Sequence, residues 1–546
     1  MNTVERDLLE QLAAMPLLDR VELAAVTGRS ASAVYEGIDS LVDEHLVARL
    51  PHASELVAPT QRFRLTASGL DRLADLSGTA TAALLREHPA SEEWLRLLMR
   101  RLDGVAMIYR LAAALCEEWF PIRFRWYRSA PADAAIALPD GRTLAIVRCG
   151  RTADRTAFAR RIGRLRDGPA FSAALLVLPD EVRLRHARRL VAPLPFTCFL
   201  ALESHAATAS TESRVWRAPS GASVMSLATA LGLVSGRGSW GREPARQRRS
   251  LPGSTEIDAD DADWRLSSRL KPAEKRTVDL LADWPWLAPD DLTHLLGVGR
   301  RRVSALTTEL QRCGLVITPR LGGRRRLALT DRALTWLAHR DRTSPADARR
   351  RWSASPLDED EPLEWRNVSG ARTRQLLRHL DHTEAVHGFA ARLVSQARSM
   401  DWDVAQLDPP QRASRYFRHR DRLHSIQPDA FGLLRGPERY HPFFLEWERR
   451  AIRPKTMATR LAPYLRYFAG SRPLDDHGAV PRLLVVFEQD LPASRFMTVA
   501  RGEMERTDVQ IPLFVSDRER IESAGPLGTV WLSGSDWQRH DAFSNR

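Results

Sequence analysis

Residues 12–47 read LAAMPLLDRVELAAVTGRSASAVYEGIDSLVDEHLV, and residues 281–316 read LADWPWLAPDDLTHLLGVGRRRVSALTTELQRCGLV. A shift of 269 positions (281 − 12) lays Leu12, Ala13, Pro16, Leu18, Leu23, Gly28, Val34, Leu41, Leu46 and Val47 on identical residues, from Leu281 to Val316, without a gap. A match of that density marks an internal repeat, and a repeat has to be settled before any motif is read. Working outward, Leu65-Thr66 and Leu70 fall on Leu329-Thr330 and Leu334, and Leu102-Asp103 on Leu380-Asp381. Further on, Asp133 falls on Asp429, Ile162 on Leu461 and Val215-Trp216 on Val530-Trp531, with the offset drifting from 264 to 315 as loops lengthen in the second copy. A duplication of about 230 residues thus accounts for most of a 546-residue chain, which is itself too long for one hydrophobic core.

Inside each copy the hydrophobic period changes character. Val4, Leu8, Leu9 and Leu12 repeat at helical spacing; Asp19 opens a second helix with Val21, Leu23 and Val26; Gly28 supplies a turn; a third helix carries Val34, Ile38 and Leu41. A hairpin returning through Arg62-Phe63-Arg64-Leu65 follows. Three helices and a two-stranded wing form the winged-helix pattern, whose third helix enters the major groove of double-stranded DNA. The second copy places Arg300, Arg301 and Arg302 at the start of its third helix and Arg324, Arg325 and Arg326 on its wing, where the first copy has Ala31, Ser32 and Ala33 at the helix start. Arginines there meet phosphates and the minor groove, so the second copy is the expected DNA reader and the first a packing or dimerisation copy.

These readings give winged helices at 1–78 and 269–340, α/β domains at 90–232 and 371–540, and linkers at 233–268 and 341–370. The first linker holds a basic run, Arg246 to Arg249, and an acidic one, Asp258 to Asp263, with no hydrophobic period. The expected fold class is multidomain α+β and α/β.

Composition supports a polyanion partner. The net charge is +13, and neutralised phosphates release counterions. Only Lys271, Lys275 and Lys455 are lysines among 81 basic residues, so arginine abundance reflects composition bias and net charge is the safer signal. Cys116, Cys149, Cys198 and Cys313 lie far apart with no Cys-x-x-Cys spacing, which argues against zinc and a disulfide framework. No Gly-x-x-x-x-Gly-Lys-(Ser/Thr) occurs, so no ATP is expected. The opening residues lack the layout of a secretory signal and no apolar run suits a membrane, so a cytoplasmic location is expected.

After residue 370 the pattern reads as a helix over 372–398, strands near 402–407, 426–434 and 443–445, a helix over 454–468, and strands at 483–487 and 511–515. That αβββαβ order resembles the PD-(D/E)xK nuclease fold. Gln427-Pro428-Asp429-Ala430 on the second strand and Phe444-Leu445-Glu446-Trp447-Glu448 on the third resemble its Pro-Asp and Glu-x-Lys signature. The resemblance implies Asp429 and Glu446 as ligands of a hard divalent cation, Mg2+ or Mn2+, which activates water and offsets phosphate charge. Glu448 shares the face of Glu446 and stands where the signature has lysine; Lys455 or Arg460 from the next helix is the expected substitute. Glu384 on the first helix is expected to face the cluster, and His382 and His387 lie on the same helix. In the first copy Val147, Cys149 and Ala106 stand at the positions of Glu446, Glu448 and Glu384, so that domain is expected to be catalytically dead.

The winged helix, the helix with histidine, Pro-Asp-Ala, Phe-Leu-Glu-x-Glu and a basic helix carrying Tyr464 together resemble the replication-relaxation family of plasmids and mobile elements, over residues 270–535 and, through the repeat, in the first half. The resemblance implies a bacterial DNA-acting protein of replication, mobilisation or cleavage, as a homodimer or with other mobile-element proteins. Two readings remain open at this point: a DNA-binding protein with an endonuclease site in its second copy, or a non-catalytic regulator or scaffold of a nucleoprotein complex.

Overall fold

The computed structural model describes all residues except 130, 222, 241–249, 253–262, 438, 449–452, 534–537 and 544–546. The runs Arg246–Arg249 and Asp258–Ala262 of the expected first linker lie outside the described residues. The chain is mixed α and β with several sheets, and it forms two compact units. Unit 1 comprises Met1–Arg276 with Leu334–Ala348, and unit 2 comprises Thr277–Ala333 with Arg349–Arg546. No helix among the described residues is long and apolar enough to cross a membrane.

Unit 1 opens with helices Thr3–Ala14, Arg20–Thr27 and Ala31–Asp43. Asn2 and Asp19 each cap a helix through a capping box with Glu5 and Glu22, satisfying backbone N–H groups that the first turn leaves unpaired. Gly28 ends the second helix at φ +64, a left-handed conformation that favours glycine. Strand Thr60–Leu65 pairs with Val47–His52 and with the short strand Leu18–Asp19. Unit 2 starts in the same way. Gly297 ends helix Pro289–Leu296 at φ +70, and helix Arg300–Arg312 follows. Its hairpin pairs Arg320 with Arg325 and Leu321 with Arg324. Gly322 and Gly323, at φ +56 and +75, make the two-residue turn that this pairing requires.

Each unit then builds a seven-stranded sheet. In unit 1 the spatial order from one edge is Arg123–Trp126, Ala134–Ala137, Thr143–Arg148, Ala173–Leu178, Thr197–Leu202, Trp216–Arg217, Val224–Met225. In unit 2 it is Asp403–Asp408, Ala430–Arg435, Tyr440–Glu448, Arg482–Phe487, Leu513–Asp517, Thr529–Ser533, Arg539–Asp541. The sense of pairing along both sheets is antiparallel twice, parallel twice, antiparallel twice. Side chains alternate across a strand, and the sheet of unit 1 uses both sides. Leu144, Ile146, Leu175 and Val177 enter one apolar core, while Ala145, Val147, Ala174 and Leu176 enter another. That double burial explains why the central strands read as continuous apolar runs.

The structure departs from the expected organisation in three places. Residues 341–370 are no plain linker. They hold helix Pro345–Trp352, and beyond it Ala354 and Val368 pack with Trp286, Leu321 and Leu377 in a core of unit 2. Asn367 organises that aperiodic stretch, its amide donating to the carbonyls of Asp358 and Glu361 while its oxygen accepts from the N–H groups of Leu357 and Asp358. Residues 263–268 of the other expected linker carry the buried Leu266 and Ser267, and Ser267 accepts from the indole of Trp336 at 3.0 Å. Finally, unit 2 inserts a hairpin, Arg415–His419 with Arg422–Ile426, between its first two sheet strands. Gln427-Pro428-Asp429 therefore sits in the connector that leads into strand Ala430–Arg435 and not on the strand itself.

Candidate functional site

Asp429 is placed by its own backbone and by the neighbouring strand. Its N–H donates to the carbonyl of Leu445 at 2.8 Å, and its Oδ2 accepts from the N–H of Trp447 at 2.8 Å. Trp447 lies between Glu446 and Glu448, so this clamp sets the Asp429 carboxylate beside both glutamates. Its Oδ1 meets Nε2 of His382, from helix Leu380–Ser399, at 3.0 Å.

Helix Pro454–Phe468 supplies the rest. The Tyr464 hydroxyl donates to Glu446 Oε1, and Arg460 meets Glu448 Oε2 at 3.2 Å. Burial, followed by the negative charge of Asp429, pushes the Glu446 carboxyl up to about 8, with Glu448 adding to the same effect. Among the described residues, neither Asp429 nor Glu446 has a lysine or arginine within ion-pair distance. The donors are hard oxygens crowded with like charge, which is the setting that Mg2+ or Mn2+ relieves. Among the described residues no group of three or more His, Cys, Asp and Glu side chains is arranged to hold a metal ion.

Two of the expected site residues lie elsewhere. Glu384 pairs with Arg326 and, at 3.7 Å, with Arg324, so its described partners are on the hairpin of unit 2 and not in the carboxylate cluster. Lys455 is exposed in the first turn of its helix, and among the described residues its side chain has no hydrogen-bond or ion-pair partner. Among the described residues, Arg460 is a basic group that meets the cluster, at Glu448.

The matching place in unit 1 is built on the same bonds. Asp133 N–H donates to Ile146 O at 2.8 Å, and Asp133 Oδ2 accepts from the N–H of Arg148 at 2.7 Å, which puts Val147 in register with Glu446. The charges around it are reversed. Arg161, the counterpart of Arg460, binds Asp133 Oδ2 at 2.6 Å, and Arg342 binds Oδ1 at 2.7 Å. Burial opposes the charge of Asp133, but Arg161 and Arg342 outweigh it and hold the carboxyl well below its usual range. Val147 and Leu165, at the positions of Glu446 and Tyr464, are both buried in one apolar core. Gly104 stands at the position of His382, and a Cβ there would come within 3.2 Å of the Arg148 side chain.

Five of the six arginines expected to meet DNA lie on the surface of unit 2. Arg300, Arg301, Arg302, Arg324 and Arg325 are exposed, with Arg300 paired to Asp290 at 3.0 Å. Arg326 is the exception. It is 2% exposed and bonded to Glu384, so it belongs to the interior and not to the exposed face. The repeat carries the reason, because Arg62 at the same position in unit 1 is also buried and bonds Glu22 at 2.9 Å. The equivalent helix in unit 1 exposes Tyr35, Glu36 and Asp39, with Arg20 paired to Asp39.

Sequence reasoning gave His382 and Tyr464 no role at the cluster and missed Arg342 altogether. For the first two, the signal was the coordinated change between copies, in which His382, Glu446 and Tyr464 become Gly104, Val147 and Leu165. Set against family models, curated proteins and solved structures, the chain finds no match in any of the three.

Proposed function

We propose that the protein is a DNA-binding factor of the replication-relaxation type whose second unit reads double-stranded DNA through a winged helix and carries a PD-(D/E)xK-like, divalent-cation-dependent endonuclease site. One observation carries the catalytic half of this reading. At one place in two copies of a sheet, unit 1 neutralises Asp133 with two guanidinium groups, whereas unit 2 sets Asp429 against Glu446 and Glu448. A cation bound by Asp429 and Glu446 would supply Lewis-acid chemistry to a phosphodiester. Of the chain's own groups, Tyr464 orients Glu446, His382 and the Trp447 N–H orient Asp429, and Arg460 offsets Glu448.

DNA reading rests on the exposed Arg301 and Arg302 at a helix start and on Arg324 and Arg325 beside a two-glycine turn, where phosphates are met in winged helices. A second reading, a non-catalytic regulator or scaffold, is favoured by Glu448, an acid paired to Arg460 where the nuclease signature has lysine.

The test is incubation of the purified protein with supercoiled plasmid in Mg2+, Mn2+ or chelator, beside Asp429→Ala/Glu446→Ala. Metal-dependent nicking that disappears in the variant while binding persists supports the nuclease. Tight binding without nicking in either metal supports the regulator.

A further inference from the structure

The inserted hairpin of unit 2 has no counterpart among the described residues of unit 1, where Asp133 follows strand Arg123–Trp126 after a short connection. Its two strands pair Arg415 with Ile426, Tyr416 with Ser425, Phe417 with His424, Arg418 with Leu423 and His419 with Arg422. Arg420 and Asp421, at φ +48 and +61, form a tight two-residue turn. One face is anchored. Phe417 is buried and meets Tyr467 edge-on at 5.2 Å, on the helix that also carries Tyr464. Arg415 is buried too, donating to the carbonyls of Arg412, Ala413 and Ser414.

The other face is open. Tyr416 is 56% exposed and Leu423 72%, the highest exposure of any large hydrophobic side chain among the described residues. Arg418 shares that face, and Arg420 and Arg422 stand at the tip. Among the described residues these three arginines make no ion pair. Exposed single apolar residues are ordinary, but here an aromatic and a leucine share one face of an anchored ribbon, diagonal across its two strands and bordered by arginines. The ribbon ends at Ile426, three residues before Asp429, and from Ile426 its strand runs about 13 Å to Arg422 at the tip.

We infer that this hairpin is a binding platform for single-stranded DNA that delivers an unpaired strand to the Asp429–Glu446 site. The inference rests on the DNA-acting reading above and names its substrate. Arginines track the phosphates, and Tyr416 with Leu423 offers a flat apolar surface to base faces, which a duplex keeps stacked and out of reach. The outward face carries no Asn or Gln to read base edges, so binding is sequence-tolerant.

The test is fluorescence anisotropy of the full chain with a labelled single-stranded oligonucleotide and with the duplex of the same sequence, across a salt series. For Arg418→Ala/Arg420→Ala/Arg422→Ala, single-strand affinity is expected to fall at least tenfold, and the salt slope to drop by about 2. For Tyr416→Ala/Leu423→Ser, affinity is expected to fall about tenfold with the slope unchanged. Neither set touches Phe417, and duplex binding through Arg301 and Arg302 stays at the wild-type level in both, which also shows that the variants are folded. Single-strand binding unchanged in both sets, or an equal loss on duplex, overturns the inference. Wild-type protein that binds duplex but no single strand overturns the inference and leaves the DNA-binding reading standing; wild-type protein that binds neither overturns both.

Discussion

Asp133 and Asp429 hold one position in two copies of one sheet, clamped by the same pair of backbone bonds, and they face opposite electrostatic worlds. In unit 1 the carboxylate is enclosed by arginines, and Val147 and Cys149 stand where unit 2 has Glu446 and Glu448. In unit 2 it is one of several acids, and the half-buried partner Glu446 is pushed toward its protonated form. The backbone-clamping bonds of the aspartate are therefore the same in both units whatever charges surround it. What distinguishes the two places is the balance of charge: Asp133 is neutralised by Arg161 and Arg342, whereas Asp429 faces Glu446.

The largest expected effect breaks this symmetry through stability. Asp133→Ala leaves Arg161 and Arg342 buried without their carboxylate and is expected to cost about 3–5 kcal/mol, whereas Asp429→Ala relieves a repulsion while leaving the Trp447 N–H without its acceptor and is expected to cost less, about 1–3 kcal/mol; urea unfolding of the two variants decides between them. Next comes activity. Asp429→Asn is expected to lower metal-dependent nicking at least about 100-fold, since even outer groups around a metal are worth 10–100-fold, and Asp133→Asn is expected to leave the rate of the folded fraction unchanged, as measured on supercoiled plasmid.

Much of this contrast was open to sequence reading, and what was hidden has physical causes. The repeat, the turns at Gly28 and Gly297, and the strand Leu483–Phe487 were legible because periodicity and glycine placement are local properties. Asp429 and Glu446 were found because a motif joined them, and their degenerate copy because the repeat aligned it. The hairpin 415–426 was not legible: its basic, half-exposed strands lack the apolar alternation that marks a strand with one dry face. Arg326 misled because an arginine next to two exposed ones looks like a solvated run, though the buried Arg62 of the other copy stood as an internal control. Arg342 lies 209 positions (342 − 133) from Asp133, and a pairing at that distance leaves no trace in local pattern.

Two smaller effects sharpen the comparison further. Arg301→Ala/Arg302→Ala is expected to weaken duplex binding about tenfold and to reduce the salt slope by about 2; Glu36→Ala/Asp39→Ala on the matching helix of unit 1 leaves binding unchanged, both by anisotropy. The smallest effect contrasts His387 with Tyr109, its counterpart by the repeat. Burial holds the His387 imidazole down to about 3, so it is neutral in the folded chain and takes up a proton on unfolding below its ordinary value of 6.5. Its contribution is complete above 6.5 and is lost as the pH falls from 6.5 toward 3, at up to about 1.4 kcal/mol per pH unit. Between pH 7 and 5, the fall in urea midpoint is expected to be shallower in His387→Gln. Tyr109, whose phenol is raised by burial, adds nothing in that range.

The path of the chain also decides how the gene can be divided. Unit 1 is completed by Leu334–Ala348, which the chain reaches only after building Thr277–Ala333 of unit 2. A fragment ending near residue 270 would lack Lys275, Asp341 and Arg342, the partners of Asp103, Arg148 and Asp133. The duplicated halves have thus lost their independence as hereditary modules. A first half cut at the repeat boundary would carry these ion pairs open.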